Sequence, residues 1–139
     1  MRASPSPRCR AAHTIRSVGM TYVRARVAPL AGRGRRVSVR FCVDSGALYS
    51  VLPEPVWKRL GLRPRRRVEF TLADGTAITR GVSRCSFEIA GESEASPVVL
   101  GGRADVPLLG AVTLETLGLM LNPLTRELLP MRMLLAAVG

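Results

Sequence analysis

The chain has 139 residues and a net charge of +11, with 47% hydrophobic and only 4% aromatic residues. That length fits one domain, and the composition gives a core built mainly from Val, Leu, Ile and Ala. Three cysteines without a CxxC pair and a single histidine exclude a zinc finger, a regular disulfide framework and a histidine-based catalytic triad.

The positive charge is carried almost wholly by Arg, which taken alone points to nucleic acid or an anionic surface. Its distribution argues otherwise. Arg2, Arg8, Arg10 and Arg16 lie in the first turns of sequence, and the clusters Arg33, Arg35, Arg36 and Arg63, Arg65, Arg66, Arg67 flank Gly or Pro and read as solvated loops. No aromatics are interleaved with them, as stacking on single strands requires. The basic surface is read as incidental, and nucleic acid is not an expected partner.

Residues 1–19 lack hydrophobic periodicity, contain Ser-Pro-Ser-Pro and carry His13 and Cys9, so they read as a disordered basic extension. They hold no apolar segment of a secretory signal, although an Arg- and Ser-bearing, acid-free start imitates an organellar transit peptide and equally fits an extension upstream of Met20. The domain is placed at 20–139. Isolated thiols fit a reducing, cytoplasmic setting.

From Met20 the pattern is strand-like. Tyr22 to Val27 is a short mixed strand, and the Gly- and Arg-rich stretch from Pro29 to Arg36 reads as a hairpin connection. Val37, Val39, Phe41 and Val43 then alternate with smaller or polar residues and deliver the chain to Asp44. Pro53 to Gly61 predicts a short helix, with prolines in its first turn, acid early, base late and Gly61 as its stop; Trp57 is read as a packing anchor. Val68, Phe70 and Leu72 alternate up to a hairpin turn at Ala73-Asp74-Gly75-Thr76. The return strand passes through Ile78 towards Val82, and Cys85, Phe87 and Ile89 continue the alternation to Gly91. Another short strand is expected at Pro97 to Leu100. The apolar run Val106 to Gly110 precedes a helix over about Val112 to Leu117, stopped at Gly118. Leu119 to Leu121 and Glu127 to Leu129 flank a turn at Asn122-Pro123. Residues 106–124 are very apolar, but Glu115, Pro and Gly mark them as core rather than a membrane span. The sum is an all-β small closed barrel or sandwich with two short helices.

Of the three aspartates, Asp74 is explained by its turn and Asp105 lies in a Gly-Gly-Arg loop. Asp44 alone ends a buried strand. An acid there is costly to bury unless it caps a turn or does chemistry. Ser45 can lock the turn through its hydroxyl, and Gly46 allows a sharp bend and close backbone approach.

Phe41-Cys42-Val43-Asp44-Ser45-Gly46-Ala47 resembles the active-site loop of the retropepsin-like aspartic proteases, with its pattern of two hydrophobics, Asp, Thr or Ser, Gly, and Ala or Ser. Leu108-Leu109-Gly110 resembles that family's second signature, and the hairpin Ala73 to Thr76 stands in the place of its flap. The likeness spans roughly residues 20–130 and is strongest to the small prokaryotic members. It implies the retropepsin-like acid-protease fold and an aspartic endopeptidase in which Asp44, Ser45 and Gly46 form the catalytic loop and residues 73–76 close over a peptide or protein substrate. It needs neither a metal nor another cofactor. The single Asp-Ser-Gly implies a homodimer, with Asp44 from each copy sharing a proton and activating one water, Ser45 bracing the paired loops and the terminal strands pairing across the dimer. Two departures stand out: Ala111 follows Gly110 where retroviral members often have Arg, and the flap has no aromatic tip. Two other readings remain open, a non-catalytic dimeric module that holds a peptide as an added strand and a basic barrel that binds nucleic acid.

Overall fold

The computed structural model of the chain describes residues 20–31 and 34–132. The expected extension at 1–19 lies outside the described residues. Among the described residues nine strands and two short helices follow one another: β1 Tyr22–Ala28, β2 Val37–Val43, β3 Ser50–Leu52, α1 Glu54–Arg59, β4 Arg66–Thr71, β5 Ala77–Ile89, β6 Glu92–Leu100, β7 Leu108–Leu109, α2 Ala111–Thr116, β8 Leu119–Leu121 and β9 Leu128–Pro130. Seven strands form one sheet in the order β1-β2-β7-β3-β6-β5-β4. β1 also pairs with β5, through Arg26↔Glu88, Val27↔Phe87 and Ala28↔Ser86, so the order returns to its start and leaves only β4 outside. The fold is all-β, as the alternating pattern predicted.

Alternation buries one face of each strand. Val27, Val39, Phe41, Cys85, Phe87, Val98 and Leu109 meet inside, with Phe41 and Phe87 tilted against each other at 5.8 Å between ring centres. With few aromatics available, this pair supplies much of the core's bulk. The polar partners of the same strands, Arg24, Arg26, Ser38 and Arg40, stay exposed, and Arg40 covers the Tyr22 ring at 4.0 Å.

The alternation that continues from the return strand to Ile89 is one strand of 13 residues, β5. Its first half, Ala77 to Val82, pairs with β4, and its second half, Val82 to Ile89, pairs with β6. Val82 belongs to both ladders, facing Arg66 on one side and Val99 on the other. The alternation slips here, with Val82 and Ser83 both buried. β6 also begins earlier than expected, at Glu92 rather than Pro97. The Arg65 to Arg67 cluster corrects the loop expectation, since Arg66 and Arg67 open β4.

α1 ends where Gly61 adopts φ +71°, as the sequence predicted. Trp57 is partly buried against the core and its Nε1–H donates to the Gly101 carbonyl at 2.9 Å, which makes it a packing anchor. α2 stops before Gly118 at φ +70°. The apolar stretch 106–124 is thus split among β7, α2 and β8, and no helix among the described residues is long and apolar enough to cross a membrane. Cys42 is disulfide-bonded, against the expectation of three separate thiols, whereas Cys85 is free and buried.

β7 is only two residues long, yet it joins two parts of the sheet. It runs parallel to β2 (Cys42↔Leu108, Val43↔Leu109) and antiparallel to β3 (Val51↔Leu108). Gly110 follows it against the backbone of residues 48 and 49. A Cβ there would sit 2.6 Å from the Tyr49 carbonyl carbon and 2.9 Å from the Leu48 oxygen. The first amides of α2 then cap the same segment, Ala111 N–H on the Ala47 carbonyl at 2.7 Å and Val112 N–H on the Leu48 carbonyl at 3.0 Å. Beneath it lies a buried hydroxyl cluster. Gly110 N–H donates to Ser50 Oγ at 3.0 Å, Ser50 Oγ meets Thr113 Oγ1, and Thr113 Oγ1 meets Ser96 Oγ at 2.8 Å.

Three outcomes follow. Gly110→Ala forces backbone to move and is expected to cost about 2–3 kcal/mol in urea unfolding. Thr113→Val keeps the shape but strips Ser50 and Ser96 of a partner, so it should lose about 1–3 kcal/mol, while Thr113→Ser should restore most of it. Burial pushes the Cys85 thiol up to about 12. The unfolded thiol ionises near about 8.5, so the stability from keeping it neutral is complete below that pH and is lost as pH rises towards the folded value. Urea unfolding at pH 8 and pH 11 should show a steeper decline for the parent than for Cys85→Ala.

Candidate active site

β2 carries apolar side chains up to Val43 and ends at Asp44, which is 2% exposed. Two backbone bonds hold the strand end. Val43 N–H donates to the Thr21 carbonyl at 2.8 Å, and Asp44 N–H donates to the Leu109 carbonyl at 3.0 Å. The second bond ties the Asp-Ser-Gly loop to the Leu-Leu-Gly motif 65 positions later, so two of the three predicted signatures meet at one point.

The turn itself closes on Asp44. Its Oδ1 accepts the Gly46 N–H at 2.9 Å, and its carbonyl accepts the Ala47 N–H at 3.1 Å. Ser45 stands exposed at the tip, so the lock predicted for its hydroxyl is supplied by the Asp44 carboxylate instead. A Cβ at Gly46 would come to 3.2 Å from Asp44 Oδ1, so the carboxylate would have to give by a few tenths of an ångström. Leu48, just beyond the turn, is 62% exposed.

The β4–β5 hairpin carries the third signature. Its tip is the tight turn predicted from Asp74-Gly75, with Leu72 N–H on the Thr76 carbonyl at 2.7 Å and Gly75 at φ +87°. Asp74 Oδ1 accepts the Thr76 N–H at 2.9 Å. The Thr76 hydroxyl and amide hold the Asp74 acid below the usual carboxylate range. Ala73, Asp74 and Gly75 are exposed and Thr76 is half-buried. The hairpin reaches the segment after Asp44 through its strand, not its tip: Phe70 meets the Tyr49 ring edge-on at 6.3 Å between centres, and Arg66 Nη2 donates to Tyr49 Oη at 3.0 Å.

Several supporting residues were not legible in the sequence. Ser50, Ser96 and Thr113 are isolated small polar residues on apolar elements, and only the fold brings their hydroxyls together under the loop. Asp105 reads as a surface loop acid but is 6% exposed. Its Oδ2 accepts the Gly102 N–H at 2.6 Å beside Gly101, where a Cβ would fall 2.8 Å from that oxygen. The Gly101-Gly102 pair was the available signal, since paired glycines often make room for a backbone-bound side chain. Among the described residues no group of His, Cys, Asp or Glu is arranged to hold a metal ion.

The arrangement is therefore a buried acid, Asp44, fixed at a strand end by a second motif and followed by a segment that the hairpin touches. Comparison with known proteins bears on what it is. A family model described as gag-polyprotein putative aspartyl protease matches residues 32–116, well over half of the chain. No curated protein matches it. Among solved structures, the EIAV protease complexed with the inhibitor HBY-793 is similar at 17% identity and a TM-score of 0.56, covering 75% of this chain and 93% of that one. The retroviral protease-like domain of Ddi1 from Leishmania major is similar at 20% identity and a TM-score of 0.54, covering 81% of this chain and 89% of that one. At such identities the likeness speaks for the fold, while the matched stretch includes Asp44 to Gly46, the hairpin tip and Leu108 to Gly110 together. The chain belongs to the gag-polyprotein putative aspartyl protease family and has the retropepsin-like fold.

Proposed function

We propose that two copies of the chain form an aspartic endopeptidase, each supplying Asp44. The observation that carries this reading is the bond from Asp44 N–H to the Leu109 carbonyl, which fixes the acid at the end of β2. The sequence from Met1 to Gly139 holds one Asp-Ser-Gly, at Asp44 to Gly46. A twofold axis through the loop would bring the same residue from both copies to one place. The exposed tip at Ser45 and Gly46 and the exposed Leu48 beside it suit a surface that another copy covers.

In this mechanism two neighbouring carboxylates hold one proton between them. The ionised one takes a proton from water as the water oxygen attacks the scissile carbonyl carbon. The protonated one donates to the carbonyl oxygen. Collapse of the tetrahedral intermediate breaks the C–N bond, and the leaving amine takes up a proton. The mechanism needs one carboxylate ionised and the other protonated, so the rate should fall at both ends of its pH range. The hairpin at residues 73–76 would close over an extended substrate and exclude water.

Peptide hydrolysis is expected at acidic to near-neutral pH, with a bell-shaped profile. Asp44→Asn should reduce it more than about a thousandfold while sedimentation still shows a dimer. Cleavage unchanged in that variant would overturn the assignment, and peptide binding without turnover in both forms would make the chain a binding module instead. Specific activity should fall on dilution below the dimer's dissociation constant.

A further inference from the structure

The proposed protease reading leaves the base of the β4–β5 hairpin unused. There, Arg65, Arg66 and Arg84 line a cavity of about 290 Å³ with Val82, Ser83 and Pro97. None of these six residues is acidic. The only acid on β4, Glu69, pairs with Thr79 and so alternates to the opposite face from Arg66. Three guanidinium groups around one hollow repel one another, and an anion there relieves that repulsion. Arginine presents a planar fork of N–H donors that matches a carboxylate.

The cavity is connected to the loop that carries the acid. Arg66 donates to Tyr49 Oη at 3.0 Å, and Tyr49 lies five positions after Asp44. That bond holds Arg66 in place, so less side-chain freedom is lost when it takes a ligand. The cationic character continues along the same hairpin face. Arg80, opposite Val68 in the register, has Nε and Nη2 enclosed without a hydrogen-bond acceptor. Burial lowers its affinity for its proton while the nearby Asp105 charge raises it.

Resting on the endopeptidase reading, we infer that Arg65, Arg66 and Arg84 form a specificity pocket that takes the carboxylate of an acidic residue in the substrate, away from the scissile bond. An extended peptide beneath the hairpin presents alternate side chains to this face. The pocket then selects substrates by charge rather than by apolar fit alone.

The test uses the full-length protein and peptides in which Gln, Glu or Lys is placed in turn at each position flanking the cleaved bond. At one position Glu should exceed Gln by roughly tenfold in kcat/KM, a difference that added salt diminishes. Arg84→Glu should invert the order so that Lys exceeds Glu, which loss of folding does not produce. Equal use of Glu and Gln at every position, or an unchanged order in Arg84→Glu, would overturn the pocket. Binding of the same peptides to Asp44→Asn separates the two claims. Glu-selective binding without cleavage in the parent supports the pocket and sinks the catalytic reading; cleavage without Glu selectivity does the reverse; neither binding nor cleavage sinks both. A Glu preference abolished by a short single-stranded oligonucleotide that itself binds more tightly, and with a steeper salt dependence, would assign the arginines to nucleic acid and overturn the proposal.

Discussion

The insertion of β7 between β2 and β3 is the constraint on which the other features depend. Two residues, Leu108 and Leu109, pair with strands on both sides, and the next residue has to pass the backbone at Tyr49. Only glycine fits that passage. Because the strand is so short, its position cannot come from its own ladder of hydrogen bonds. It comes instead from burial of Leu108 and Leu109 and from α2 capping the loop carbonyls of Ala47 and Leu48.

The hydroxyl cluster beneath it makes the same point about polar groups in a core. Ser50, Ser96 and Thr113 are almost fully buried, and each would be costly alone. Together they satisfy one another and the Gly110 amide, and they fix the relative positions of β3, β6 and α2 with directional bonds that apolar contacts cannot provide. Asp105 works similarly on the other side of β3, where its carboxylate binds the Gly102 backbone and Gly101 in turn donates to the Leu52 carbonyl.

Much of this was legible in the sequence because it rests on local patterns. Alternation at Val37 to Val43 and at Cys85 to Ile89 gave strands, Asp74-Gly75 gave a turn, and Gly61 and Gly118 gave helix ends. The ordered motifs around Asp44 and Gly110 gave the family. What escaped depends on pairing between distant segments. Nothing local says that Arg66 reaches Tyr49 or that Thr113 bridges two serines. The slip at Val82 and Ser83 is not foreseen either, since it breaks the period on which strand assignment relies. The arginines at 65–67 read as loop from their proline neighbour, although Arg66 and Arg67 begin a paired strand.

That slip gives β5 a mechanical character. From Val82 onward the strand is held by β6, and near its end by β1 as well; before Val82 it has β4 alone. A two-stranded ribbon is compliant, whereas the clamped half shares the rigidity of the core. Val82 is thus the fulcrum of a lever whose stiff arm is embedded beside Phe87 and whose free arm ends at Gly75. Gly81 sits next to the fulcrum against the Pro64 ring, where a Cβ would fall 2.7 Å from the Pro64 Cβ. A bend of the two-stranded half at Val82 would therefore press on Pro64 and the arginines beside it.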